Sequence, residues 1–340
     1  MSDLLEVRKL TVELPSASGW VRPVNEVSLH IAAGESLGLV GESGSGKTMM
    51  SLALMNLLPP GAKVSGEARL QEVKEVHEVK EVKKRSPNQS EVNGGKNLFG
   101  LSEREWRTVR GGEIAMVFQE PMTSLNPVMR IGAQIEEAIR AHAPELAEKE
   151  VRRRSIESLR RAAVPEPESR AEQFPHQLSG GLRQRAMIAM SLAAGPKLLI
   201  ADEPTTALDV TVQKQILDLL DRLRHELKLG LLFITHDLGV VAQIADRVAV
   251  MYAGRIVEEG PTREVLTNPR HPYTQGLLAA SPTLERGKLT PISGAMPQLT
   301  ALPPGCAFEP RCSFKKPVCS EAMPEFRTAS PTHSARCVLI

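Results

Sequence analysis

The chain has 340 residues, with 42 Lys and Arg against 40 Asp and Glu for a net charge of +2, and only 3% aromatic residues. So even a balance excludes the global basic field of a nucleic-acid-binding protein, and scarce aromatics argue against base-stacking platforms. No apolar run approaches the roughly eighteen residues of a membrane span and residues 1–6, MSDLLE, carry no secretory pattern, so the chain is not expected to cross a membrane by itself. Its length suits one large α/β unit with a small appendage.

The first strong element is a short apolar strand, SLGLV at 36–40, followed by GESGSGKT at 41–48 and a helical opening, TMMSLALM at 48–55. The loop fits G-x-x-x-x-G-K-[ST] between a strand and a helix, where backbone N–H groups and the helix N-terminus can hold phosphate oxygens. Gly41, Ser43, Gly44, Ser45, Gly46, Lys47, Thr48 and Met49 are therefore the expected ATP-binding residues. Lys47 would reach the β and γ phosphates, and the Thr48 hydroxyl would ligate Mg²⁺.

Between Arg69 and Leu98 lies EVKEVHEVKEVK at 72–83, then KRSPNQS. A period of three matches neither strand nor α-helix, and mixed charge without an apolar face buries little surface. This insertion, at about 71–97, is expected to be a solvated hairpin tip or disordered loop.

Next come VFQEP at 117–121, carrying Gln119, and LSGG at 178–181 before LRQRAMIAMSLA, whose apolar spacing is helical. Ser179, Gly180 and Gly181 stand at a helix start, which taken alone is only a cap. The apolar run KLLIA at 197–201 ends in Asp202 and Glu203, and LLFIT at 231–235 ends in His236. Carboxylates and a histidine at the C-terminal ends of buried strands stand where open parallel sheets bind ligands. Asp202 would hold Mg²⁺, Glu203 would orient or deprotonate the attacking water, and His236 would hydrogen-bond a γ-phosphate.

The tail changes character. Residues 282–304 are rich in Pro, Gly and Thr, and all four cysteines follow, spaced Cys306-x5-Cys312-x6-Cys319-x17-Cys337. In a reducing compartment clustered thiols suggest a metal site, yet the tight C-x2-4-C pairs usual for zinc are absent. A larger thiolate-bound cofactor, zinc and free cysteines all stay open.

These motifs in this order resemble the ATP-binding cassette family over about the first three quarters of the chain. The resemblance implies an α/β fold: a P-loop NTPase core with a mostly parallel sheet, an N-terminal antiparallel β subdomain, and a helical subdomain at about 120–190. The ATPase domain would run over 1–262 and a small Cys-rich extension over 263–340. It further implies that Gln119 is a catalytic and Mg²⁺-binding Q-loop residue, that ALD at 207–209 supplies a D-loop Asp209, and that His236 is the switch histidine. Two cassettes would pair head to tail, so that Ser179, Gly180, Gly181 and Gln184 grip the partner's ATP in trans. Relatives stack adenine on an aromatic ring before the first core strand, which here assigns Trp20.

Two further segments are similar to the oligopeptide, dipeptide and nickel importer branch: FQEPMTSLNP at 118–127 and HPYTQGLL at 271–278. That likeness implies an ATPase subunit driving peptide import, with nickel or glutathione as alternative cargo and a soluble cassette acting on nucleic acid as the other class. Implied partners are two transmembrane permease subunits, a second related ATPase forming a heterodimer and an extracytoplasmic peptide-binding protein, with no nucleic acid. The place is the cytoplasmic face of the membrane, peripherally. PGCAFEPRC at 304–312 resembles a tail that carries a [4Fe–4S] cluster in some members, with Cys306, Cys312, Cys319 and Cys337 as its ligands.

Overall fold

The computed structural model describes residues 3–17, 19–71, 95–119, 124–206, 208–281 and 290–340. Its centre is an eight-stranded sheet of order β11-β12-β10-β9-β3-β8-β7-β6. The parallel part joins β6 (Ile114–Val117), β7 (Leu198–Asp202), β8 (Gly230–Thr235), β3 (Ser36–Val40) and β9 (Arg247–Tyr252). Strands β3, β7 and β8 are short apolar runs buried along their whole length, as helices and a second sheet cover both faces. In register, Val40 pairs with Thr235 and Asp202 with Ile234. The phosphate loop, the two carboxylates and His236 therefore leave the sheet side by side at its C-terminal edge, as expected for a mostly parallel core.

A second sheet is antiparallel, ordered β2-β1-β4-β5, with β1 (Asp3–Ser16), β2 (Gly19–Ala32), β4 (Lys63–Leu70) and β5 (Lys96–Asn97). The Lys47–Leu54 helix lies between the two sheets. Met50 and Leu54 join Leu5, Val12, Leu37 and Ile200 in one apolar core. Most of the expected insertion, 72–94, lies outside the described residues; its flanks close as neighbouring strands, Arg69 opposite Asn97 and Leu70 opposite Lys96.

Helices Ile131–His142, Glu148–Arg161, Pro167–Ala171 and Gly180–Leu192 form the helical lobe around Ile135, Ile139, Val151, Leu159 and Ala186. Val210–Leu227 is capped by Asp209, whose carboxylate accepts from the Val212 N–H at 2.9 Å, and turns Ile216, Leu219, Leu220 and Leu223 onto the sheet.

The C-terminal residues share the central sheet. Antiparallel β10 (Arg255–Pro261) is followed outward by β12 (His333–Ala335) and β11 (Arg327–Ser330). Phe308 meets Tyr252 of β9 edge-on, ring centroids 5.3 Å apart, and Tyr273 joins them. Inside this join Glu258, fully buried, accepts from the Arg270 and His271 N–H groups and pairs with His333 Nε2 at 2.7 Å. A buried carboxylate with three partners is satisfied, so the extension is built into the cassette.

Candidate active site

The loop at 41–48 takes its shape from close approach. A Cβ on Gly46, whose φ is +109°, would stand 1.9 Å from the Pro23 carbonyl oxygen, and Gly46 sits at the N-cap of the Lys47–Leu54 helix. Lys47 is only 5% exposed. Its ammonium donates to the carbonyl oxygens of Gly41 at 2.7 Å and Glu42 at 3.1 Å, and to Ser45 Oγ at 3.4 Å. Burial lowers its pKa, against the opposing pull of Glu203, Asp202 and Glu42. A cation resting on carbonyl oxygens is one that phosphate oxygens can recruit.

Behind the loop Asp202 is buried, and burial raises its pKa despite hydrogen bonds from Thr48 and Ser51. Ser51 Oγ donates to Oδ2 at 3.3 Å, while Oδ1 is buried with no partner. An orphaned carboxylate oxygen beside the Thr48 hydroxyl is a donor set that suits a hard divalent cation such as Mg²⁺.

Glu203 follows with a left-handed backbone, φ +48°, and its N–H donates to the Ile234 carbonyl at 2.9 Å. That strained position turns the side chain over the sheet edge. Oε2 accepts from Gln119 Nε2 at 3.1 Å and Thr206 Oγ at 2.9 Å, and Oε1 meets His236 Nδ1 at 3.2 Å. The His236 bond leads the causes that hold Glu203 below its ordinary value, and its counterpart raises His236. An ionised carboxylate so oriented can accept a proton from water.

One cleft is lined by Pro23, Ser43, Gly44, Gly46, Lys47, Thr48, Met49, Gln119, Glu203 and Leu299. Gly41 and Ser45 lie beneath the loop: a Cβ on Gly41 would meet the Met251 carbonyl at 2.2 Å, and Ser45 is fully buried. Pro23 and Leu299 were not among the expected residues; nothing in one sequence marks a proline or a leucine as a cleft wall.

Trp20, the expected adenine platform, lies near the start of β2. It is absent from the cleft lining, 48% exposed, with the Lys63 ammonium 3.8 Å over its ring. Between Val21 and Val24 the pairing of β2 with β1 shifts register, and the strand passes there from exposed Trp20 to buried Pro23 and Val24.

Ser179 caps the Gly180–Leu192 helix, its hydroxyl accepting from the Leu182 N–H at 3.4 Å, and both Ser179 and Gly180 are exposed. Gly181 stands against the helix that Asp209 caps, where an added Cβ would come within 2.8 Å of Val212. Gln184 is 1% exposed, with Nε2 buried and unpartnered, on the helix face that it shares with Met187 and Ile188 of the sheet-side core. Of the D-loop, Ala207 lies outside the described residues.

Cys306, Cys312, Cys319 and Cys337 are all unpaired, and they line one cavity with His271, Phe308 and Phe314. Burial, then its neighbouring thiols, pushes Cys306 up to about 11 against a hydrogen bond from the Phe308 N–H. Among the described residues no three His, Cys, Asp or Glu side chains group in a way that could hold a metal ion. His271 caps the Pro272–Ala280 helix, accepting from the Tyr273 N–H through Nδ1 at 3.1 Å. Convergence on one cavity fits a thiolate donor set, whereas the grouping of the side chains does not fit a single bound ion.

Residues 24–206 match the ABC transporter family, and residues 257–319 match the oligopeptide/dipeptide transporter C-terminal region. The chain is 47% identical over 342 residues to the oligopeptide transport ATP-binding protein OppD of Bacillus subtilis (strain 168), an alignment covering 99% of this chain and 89% of that protein. Among solved structures it resembles the ATP-binding cassette MJ0796, a dimer in a post-hydrolysis state bound to ADP and Pi. The TM-score is 0.62 at 26% identity, over 76% of this chain and 99% of the other. It also resembles cbiO1 of Clostridium perfringens, part of the ABC transporter complex cbiONQ, with a TM-score of 0.62 at 25% identity over 79% and 92% of the two chains.

Proposed function

Because the chain belongs to the ABC transporter family, we propose that it is the ATP-hydrolysing subunit of an importer of di- and oligopeptides. The observation that carries this reading is Glu203, ionised and held between Gln119 and His236 at the mouth of a phosphate loop. The match of residues 257–319 to the oligopeptide/dipeptide transporter C-terminal region supports the cargo. A division near residue 262 separates the cassette from that extension.

Lys47 leaves the Gly41 and Glu42 carbonyls for the β and γ phosphates, while backbone N–H groups of the loop hold the remaining oxygens. Thr48, Asp202 and Gln119 would hold Mg²⁺, which supplies charge neutralisation to the phosphates. Glu203 orients and deprotonates the attacking water, and His236 donates toward the γ-phosphate. Ser179 and Gly180, exposed and outside this chain's own cleft, are read as the cap on the ATP of a second cassette in trans. Closing of the pair on ATP and reopening after hydrolysis would drive two permease subunits fed by an extracytoplasmic peptide-binding protein. The second cassette is a related ATPase, and the chain sits peripherally at the cytoplasmic face of the membrane; no helix among the described residues is long and apolar enough to cross one.

Cys306, Cys312, Cys319 and Cys337 are read as thiolate ligands of a [4Fe–4S] cluster that stabilises the extension; their shared cavity supports this. The function is tested by purifying the chain from native membranes in mild detergent. Permeases, a second cassette and peptide-stimulated ATPase in the eluate support the importer, whereas recovery alone, or with nucleic acid, leaves only an ATPase.

A further inference from the structure

The phosphate loop is held from outside the nucleotide-binding motifs. Arg311, in the 3₁₀ turn Glu309–Arg311 of the C-terminal extension, sends a two-pronged fork into Glu42, the second residue of the loop. Nη1 donates to Oε2 at 2.7 Å and Nη2 to Oε1 at 3.0 Å. The same guanidinium is fixed behind by Nε donating to the Ser293 carbonyl at 3.0 Å, and the Arg311 side chain is only 4% exposed. The Glu42 bond leads the causes that raise its pKa, keeping the charge permanent.

Glu42 is gripped on its backbone as well. Its N–H donates to the Tyr273 hydroxyl at 2.7 Å, and its carbonyl accepts from the Ser45 N–H at 3.2 Å and from Lys47 Nζ at 3.1 Å. The residue is thus the point at which two side chains of the extension meet the loop's internal hydrogen bonds. Leu299, also from the extension, lines the nucleotide cleft.

We infer that Arg311 is a positioning residue for ATP: through Glu42 it holds the glycine-rich loop in its phosphate-receiving shape, so that the C-terminal extension is part of the nucleotide site. A loop with four glycines or serines in a row loses much conformational freedom on binding, and a bidentate charge pair at its first turn removes part of that cost beforehand. The pair touches neither the γ-phosphate nor the attacking water. Its loss therefore weakens ATP binding more than it slows the chemical step.

The inference rests on the nucleotide-binding reading above, and the experiment separates the two. Binding of a mant-ATP probe with Mg²⁺ to the full chain, together with kcat and KM for ATP, is measured for wild type, Arg311→Met, Arg311→Lys, Glu42→Gln and the Glu42→Gln/Arg311→Met double variant. The expected result is a rise of roughly tenfold in both Kd and KM for Arg311→Met, with kcat at saturation within about threefold of wild type. Arg311→Lys recovers part of the affinity, and the double variant binds no worse than the weaker single one. If Arg311→Met does not fold, Glu42→Gln, which leaves the extension's side chains in place, must show the same rise by itself. Unchanged Kd and KM in the folded variants, additive losses in the double variant, or a fall in kcat at constant KM would each overturn the inference. A wild-type chain that binds no mant-ATP would instead overturn the nucleotide-site reading.

Discussion

Glu203 Oε1 stands 3.2 Å from His236 Nδ1, across the gap between the ends of two neighbouring parallel strands. Its other oxygen is shared by Gln119 and Thr206, so the carboxylate is fixed by both ends while its backbone is held at φ +48°. This geometry makes it a base with a direction. Glu203→Gln keeps the shape and the hydrogen-bonding capacity but removes the proton acceptor. ATP affinity should stay within about threefold of wild type while single-turnover phosphate release falls about 10²- to 10⁴-fold. Turnover at the wild-type rate with ATP still bound would remove Glu203 from the base role.

The same pair leaves a signature in stability against pH. His236 is raised above its ordinary 6.5, so its contribution is complete below 6.5 and disappears as pH climbs through the raised folded value. Glu203 is lowered below its ordinary 4.5, so its contribution is present above 4.5 and lost as pH falls through the lowered folded value. Both hold together between those limits. The His236 side chain is 59% exposed, so solvent screens the pair and the effect is small. His236→Gln should lower the thermal midpoint by about 1 °C near pH 5.5 and by less at pH 8.5. A deficit that grows with pH would contradict the pairing.

What could be read from the chain was what local backbone dictates. A phosphate loop needs contiguous residues between a strand and a helix, and 41–48 has them; strands buried on both faces are apolar runs, and β3, β7 and β8 are such runs. The caps at Ser179 and Asp209 are equally local. Facing was less legible. Trp20 is exposed while Pro23, three residues on across a shift in the β1–β2 register, lines the cleft, and the turn of a helix buries Gln184. Arg311 was invisible because its partner is 269 positions away, and only the shared sheet brings the two together.

The four thiols carry a chemical prediction. Full-length chain isolated without oxygen should contain about four iron and four acid-labile sulfide per chain, with a visible absorption band that Cys306→Ser removes. Burial holds Cys306 protonated up to about 11 without a bound cation, so release of the metal should accompany proton uptake at neutral pH. Stoichiometric zinc without sulfide, or neither metal, would reject the cluster.

Gly46 tests whether the wall at Pro23 shapes the loop. A Cβ there would lie 1.9 Å from the Pro23 carbonyl oxygen and 2.9 Å from the Met251 side chain, at a φ of +109° that L residues avoid. Carbonyl oxygens of a paired strand do not yield as a flexible side chain would, since Val24 next to it is paired with Val12 in the sheet. In Gly46→Ala the loop must therefore move, and the strain of about 1–3 kcal/mol is borne at the helix start that receives phosphate. The thermal midpoint should fall by a few degrees, roughly as that strain implies, while mant-ATP binding is lost at concentrations that saturate wild type. Because Lys47 and Thr48 are untouched in this variant, loss of binding in a folded protein assigns the effect to loop shape and not to a missing ligand. Binding at wild-type affinity would show that the loop parts from β2 at little cost, and Pro23 would lose its role as a wall that shapes the cleft.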